Sequence, residues 1–91
     1  MNNINLYCIR DIKASDFAPP CVFANDALAV RAFGDLVTKG SDSLVSSHPE
    51  DFQLVFLGSY DRDTGVITSS VDSIRVIASG SDFSLPTNKE A

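Results

Sequence analysis

The sequence predicts a small α+β domain: one helix packed on a mostly antiparallel sheet of about four strands, in the order β-α-β-β-β. Three observations predict it. Residues 26–39 repeat apolar side chains at helical spacing behind a capping residue. Phe52–Tyr60 alternates apolar side chains over the length of a strand. The 91 residues, 44% of them hydrophobic, suit one domain with one core. That domain is expected over residues 1–80, with a loosely ordered polar tail over 81–91.

The elements follow in order. Residues 4–12 are rich in β-formers and read as the first strand, with Ile4, Leu6 and Cys8 on one face and Tyr7 and Ile9 on the other. Pro19-Pro20 forbids a helix in the loop that follows, and Cys21–Ala24 is a short extended piece. Asn25 is a helix N-cap, and Asp26 sits at the positive end of the helix dipole. Ala29, Ala32, Phe33, Leu36 and Val37 form the apolar stripe of the helix, while Arg31 and Asp35 stand at i,i+4 on its polar side. Gly34 is unusual mid-helix, there either to allow close approach of another backbone or simply as a tolerated residue; Gly40 is placed to end the helix in a left-handed conformation. Residues 41–51 read as a polar linker with one helical turn around Ser43–Ser47. On Phe52–Tyr60, Phe52, Leu54, Phe56 and Tyr60 share one face and Val55 and Leu57 the other. Asp61–Gly65 is a hairpin loop with Gly65 free to take positive φ. Val66–Val71 returns antiparallel, and Ile74–Ala78 is the last strand after a turn at Asp72-Ser73.

Composition excludes several classes. Twelve acidic against seven basic residues give a net charge of −5. Nucleic-acid binders usually carry a basic excess, because phosphate contacts supply the affinity; this balance favours a protein partner. No apolar run approaches the roughly 20 residues of a membrane helix. The first residues lack the basic stretch and apolar core of a signal peptide, so an intracellular protein without a membrane partner is expected. Cys8 and Cys21 form no CxxC pair or Cys/His cluster, and read as small packing residues.

Residues of catalytic type do not assemble into a pattern. His48, the one histidine, follows Ser46-Ser47, but a nucleophile pair needs an orienting group and an oxyanion site that adjacency in sequence does not supply. Asp61 and Asp63 stand where a calcium loop begins, but Gly65 and Val66 replace the ligand and the glycine that such a loop requires next. Glu50-Asp51 suit a turn or a solvated surface. No catalytic residue, metal site or cofactor is expected.

Three stretches, taken together, resemble a known family. They are Ala29-Val30-Arg31-Ala32-Phe33 with Asp35-Leu36-Val37, then His48-Pro49-Glu50-Asp51-Phe52, then Leu57-Gly58-Ser59-Tyr60-Asp61 with Thr64-Gly65. Their order and spacing are similar to the small nonstructural protein of gokushovirus-type microviruses, phages with circular single-stranded DNA. The likeness runs roughly from Pro19 to Phe83 and includes Ala78–Phe83. It implies a protein made in the cytoplasm of the infected bacterial host and not built into the virion. It also implies a role in genome replication, at the switch towards single-stranded DNA synthesis.

Two modes of action are expected to compete. The first is a nonenzymatic regulator acting through protein contacts, with itself and with viral or host replication or packaging proteins. A single helix covers one face of a sheet, yet the strands carry apolar residues on both faces. A homodimer is therefore expected on the uncovered set, read as Tyr7, Ile9, Val55, Leu57 and Ile77. The alternative is single-stranded DNA binding, with Tyr7 and Tyr60 stacking on bases beside Arg10, Lys13, Arg62 and Arg75.

Overall fold

The computed structural model describes residues 3–40, 44–69 and 74–83. Its architecture is α+β and antiparallel throughout, with six strands where about four are expected. The strands are β1 (Asn3–Asp11), β2 (Asp16–Phe17), β3 (Cys21–Phe23), β4 (Phe52–Asp61), β5 (Ile67–Ser69) and β6 (Arg75–Ser79). The helices are α1 (Asp26–Lys39) and the short α2 (Leu44–Ser47), with 3₁₀ turns at Pro49–Asp51 and Gly80–Phe83.

Of the two added strands, β2 comes from the stretch read as loop and β3 from the one read as a short extended piece. Pro19-Pro20 does break the chain there, but the segments on either side fold back antiparallel on β1, pairing Arg10 with Phe17 and Tyr7 with Cys21. The centre of the sheet is the long β1–β4 pair, in register from Asn3 with Asp61 to Asp11 with Phe52. On the far side β4 is flanked by β5 and by β6. Two bulges interrupt this frame. Leu6 pairs with Gly58 but Tyr7 with Phe56, so Leu57 is an extra residue in β4. Leu54 pairs with Ala78 but Val55 with Val76, so Ile77 is an extra residue in β6.

Helix α1 begins as expected: the Asn25 side chain accepts from Leu28 N at 2.9 Å. Its end differs. Gly40 is extended (φ −79°, ψ 100°), and its N–H bonds Leu36 O at 3.1 Å, so no left-handed cap forms. The ion pair on the exposed face is Lys39 with Asp35 at 3.6 Å, in place of the expected Arg31–Asp35 pair; both side chains are more than half exposed, so it contributes little. The buried stripe is Ala29, Phe33, Gly34 and Val37, with Leu36 half-buried beside it and Ala32 exposed.

One core results, between α1 and one face of the sheet. Tyr7, Ala29, Phe33, Val37, Val45, Phe52, Leu54 and Ala78 are its buried members. The chain does not leave this core at residue 80. The Gly80–Phe83 turn folds back under α1, and the Phe83 ring meets Phe33 edge-on at 5.9 Å. This explains Gly34: a Cβ there would lie 2.8 Å from the Phe83 ring, so the close neighbour is an aromatic side chain, not a second backbone. Residues 84–91 of the expected tail, Ser43 of the expected helical turn, and the ends of the strand and turn expected over 70–73 lie outside the described residues.

Candidate functional site

The β1–β4 register divides the sheet into two faces, because residues paired across strands point the same way. Tyr7 pairs with Phe56 and Ile9 with Leu54, and this face lies under α1. Cys8 pairs with Val55 and Arg10 with Gln53, on the opposite face. Leu6 and its partner Val22, Phe17 opposite Arg10, and Val76 opposite Val55 complete that second face. Val45 of α2 and Phe83 of the last turn both join the core on the α1 side. Among the described residues no helix covers the second face.

The residues proposed for an interface therefore separate. Tyr7 is fully buried (0% exposed) beneath the helix, and Ile9 and Ile77 pack against the same core. These three belong to the covered face, because it is Leu54 and Phe56, not Val55, that stand across from the Tyr7 set. Val55 does lie on the open face, and Leu57 sits half-buried at the β4 bulge. The open set is instead Leu6, Cys8, Val55, Val22 and Val76, with Phe17 at one side. Cys8 and Val55, on the central strands, are closed over by their surroundings, while Phe17, Val22 and Val76 are about half exposed. Arg10 lies over the Phe17 ring at 5.4 Å, a cation–π contact. The Arg10 Nε and the Gln53 Oε1, on directly paired residues, are buried without a hydrogen-bond partner. Phe17 and Val22 escape sequence reasoning because they sit on edge strands too short to show alternation.

The residues proposed to hold DNA are scattered. Tyr7 offers no free ring face: it meets Phe23 and Phe56 edge-on at 5.9 and 5.7 Å. Its hydroxyl accepts from Asn5 Nδ2 at 2.9 Å and donates to Asp26 Oδ1 at 2.5 Å, fastening the start of α1 to β1. Burial, and next the hydrogen bond to Asp26, push the Tyr7 pKa above its ordinary value, so the side chain serves as a neutral donor. Arg75 is engaged on the helix side, 4.6 Å from the centre of the Phe56 ring and 3.9 Å from Asp26. Arg10 lies on the open face. Lys13 stands in the β1–β2 turn between Asp11 and Asp16, whereas Tyr60 and Arg62 stand at the other end of β4 beside Asp61 and Asp63. Eight residues of strand, about 26 Å, separate Phe52 at one end from Tyr60 at the other. No single groove gathers these groups.

The donor atoms of His48, Glu50 and Asp51 come within 4.8 Å of one another around the first 3₁₀ turn, with His48 and Glu50 exposed. Asp61 Oδ1 accepts from Asp63 N at 2.8 Å and Thr64 N at 3.4 Å, spending this carboxylate on the hairpin turn, where Gly65 takes φ 81°. Cys8 and Cys21 lie on opposite faces of the sheet, and burial pushes both thiols up, away from reactive thiolates. Beside α1, a groove of about 170 Å³ is lined by apolar side chains and Cys21, among them Ile9, Phe23, Ala32 and Leu36. No described helix is long and apolar enough to cross a membrane.

The model of a family described as "Phage ORF5 protein" matches residues 4–83. No curated protein and no solved structure matches the chain.

Proposed function

The chain belongs to the Phage ORF5 protein family, and from that premise we propose that it is a nonenzymatic regulator of viral genome replication that acts through protein contacts on its open sheet face. The observation that carries the reading is the unbalanced sheet: both described α-helices lie on one side, and the other presents Phe17, Val22 and Val76, each about half exposed, beside Leu6 and Arg10. An apolar face of this kind commonly marks an interface. The similarity to microvirus nonstructural proteins supplies the setting. The protein acts in the cytoplasm of the infected bacterium, outside the virion, at the stage where single-stranded genomes are made. Its partners are replication or packaging proteins.

Two of the polar groups serve structure, which favours contact chemistry over catalysis. Tyr7, the more buried of the two phenols, is kept neutral by burial and then by its hydrogen bond to Asp26. The carboxylate of Asp61 is committed to a turn.

The rival reading, direct binding of single-stranded DNA, makes the opposite demand on the charges. A fluorescence-anisotropy titration with a labelled oligonucleotide at physiological salt is expected to give no binding tighter than ~10 μM, the weak part of the nonspecific range. Submicromolar binding that weakens with salt and with Arg10→Glu would replace protein contact by nucleic-acid contact as the working principle.

A further inference from the structure

We propose, independently of the role of the open face, that His48, Glu50 and Asp51 form a binding site for a divalent transition-metal ion, zinc being the ion their chemistry suits best.

The three side chains offer an imidazole nitrogen and two carboxylate oxygens, all within 4.8 Å of one another. A tetrahedral zinc ion with bonds of about 2.0–2.1 Å holds its ligand atoms about 3.4 Å apart. Small side-chain rotations close that difference, because His48 and Glu50 are exposed and have room to turn. Adjacency in sequence does not predict the cluster. Glu50-Asp51 suit a turn and do make one, but it is the 3₁₀ geometry that brings the imidazole to both carboxylates.

The backbone beneath the donors is held from several sides. Pro49 fixes its own φ at the first position of the turn. Asp51 N donates to His48 O at 3.0 Å within the turn, and His48 N donates to Leu44 O at 2.8 Å at the end of α2. Ile12 N, just past β1, donates to Asp51 O at 2.8 Å. Gly80 packs directly on the Pro49 carbonyl. Donors on a fixed backbone lose only side-chain freedom when they capture an ion.

Electrostatics favours a cation at this place. Glu50 and Asp51 carry like charges, and neither forms an ion pair with a described Lys or Arg. Among the described residues no hydrogen bond engages the three side chains, and none of the three belongs to the core. The imidazole selects the ion: it suits zinc and its neighbours, whereas calcium and magnesium take oxygen ligands. Three protein ligands leave the fourth position of a zinc ion to water.

Calorimetric titration of the full chain with zinc chloride to ~100 μM, well above micromolar dissociation constants, tests the site beside proton NMR. The chain has one histidine, so the imidazole signals report on residue 48 alone. One zinc ion per chain is expected, with those signals shifting over the same range of zinc. Changing a group that merely supports a metal ligand costs about 10–100-fold in affinity. His48→Ala and Glu50→Gln, which remove ligands, should therefore each weaken binding at least ~10-fold. Both positions are exposed, so far-UV circular dichroism of each variant should match the wild type. Cys21→Ser removes the exposed thiol and should leave the affinity unchanged. No binding in this range, imidazole signals that stay fixed at saturation, or an affinity that survives either ligand substitution or disappears with Cys21→Ser overturns the site.

Discussion

Tyr7→Ala is expected to lower stability by about 3–5 kcal/mol, the range for truncating a fully buried large side chain. For a domain of 91 residues, with a total stability of about 5–14 kcal/mol, the variant should be largely unfolded in mild denaturant. The loss has three parts. The ring leaves a cavity between Phe23 and Phe56. The bond to Asp26 disappears, and with it the link from β1 to the start of α1. Asn5 loses its acceptor. Tyr7→Phe keeps the ring and should cost roughly 1 kcal/mol, the net worth of a hydrogen bond. Urea unfolding followed by circular dichroism measures both. The Tyr7 pKa is raised in the folded chain, so the folded state holds its proton longer than the unfolded state does. Its contribution is fully present below the ordinary phenol value of 10.0 and is lost as pH rises through the higher folded value. Tyr7→Phe should remove that part of the alkaline loss; the raised thiols of Cys8 and Cys21 act in the same direction and remain. A Tyr7→Ala variant as stable as the wild type would return Tyr7 to the surface, where base stacking is open to it.

Gly80→Val is expected to be comparably damaging, for a backbone reason. A Cβ at residue 80 would fall onto the Pro49 carbonyl oxygen and within 2.7 Å of its carbon. Both sides of the contact are main chain, so neither a rotamer change nor a flexible tip relieves it. The two 3₁₀ turns must separate, and Phe83 leaves Phe33 and Gly34 with them. A loss of about 3 kcal/mol or more follows, which for a domain of this size lowers Tm by more than about 12 °C. The neighbouring Ser81 is exposed, and Ser81→Ala should stay within about 0.5 kcal/mol of the wild type. A wild-type Tm for Gly80→Val would mean that the domain does end near residue 80, with the last turn contributing nothing.

These two positions also show where the sequence was legible. Helix α1 could be read to its N-cap, because Asn25 and the Ala29–Phe33–Val37 spacing act locally. The long strands β1 and β4 and the Gly65 hairpin were legible for the same reason. What was not legible depends on pairing. Alternation within one strand separates Tyr7 from Cys8, but it does not say whether Tyr7 shares a face with Leu54 or with Val55; only the register does. Leu57 and Ile77 are each the extra residue of a bulge, and a bulge resets the period of two on which the face assignment rested. Tyr7, Ile9 and Ile77 thus lie on the helix side of the sheet, which alternation alone does not reveal. β2 and β3 have two and three residues, too few for a period, and the role of Phe83 rests on a contact with a helix fifty positions earlier.

The central claim is that the open face, and not a set of cations, is the working surface. Complementation of a phage lacking this gene tests it most directly, with plasmid-borne variants of checked fold. The folded double variant Val22→Asp, Val76→Asp is predicted to leave single-stranded genome production at the level of an empty plasmid. Lys13→Glu with Arg62→Glu, which reverses the two exposed cations of the DNA-binding reading, is predicted to restore production as the wild type does. The reverse pattern, in which the face variant complements and the charge-reversed variant fails, would contradict the account.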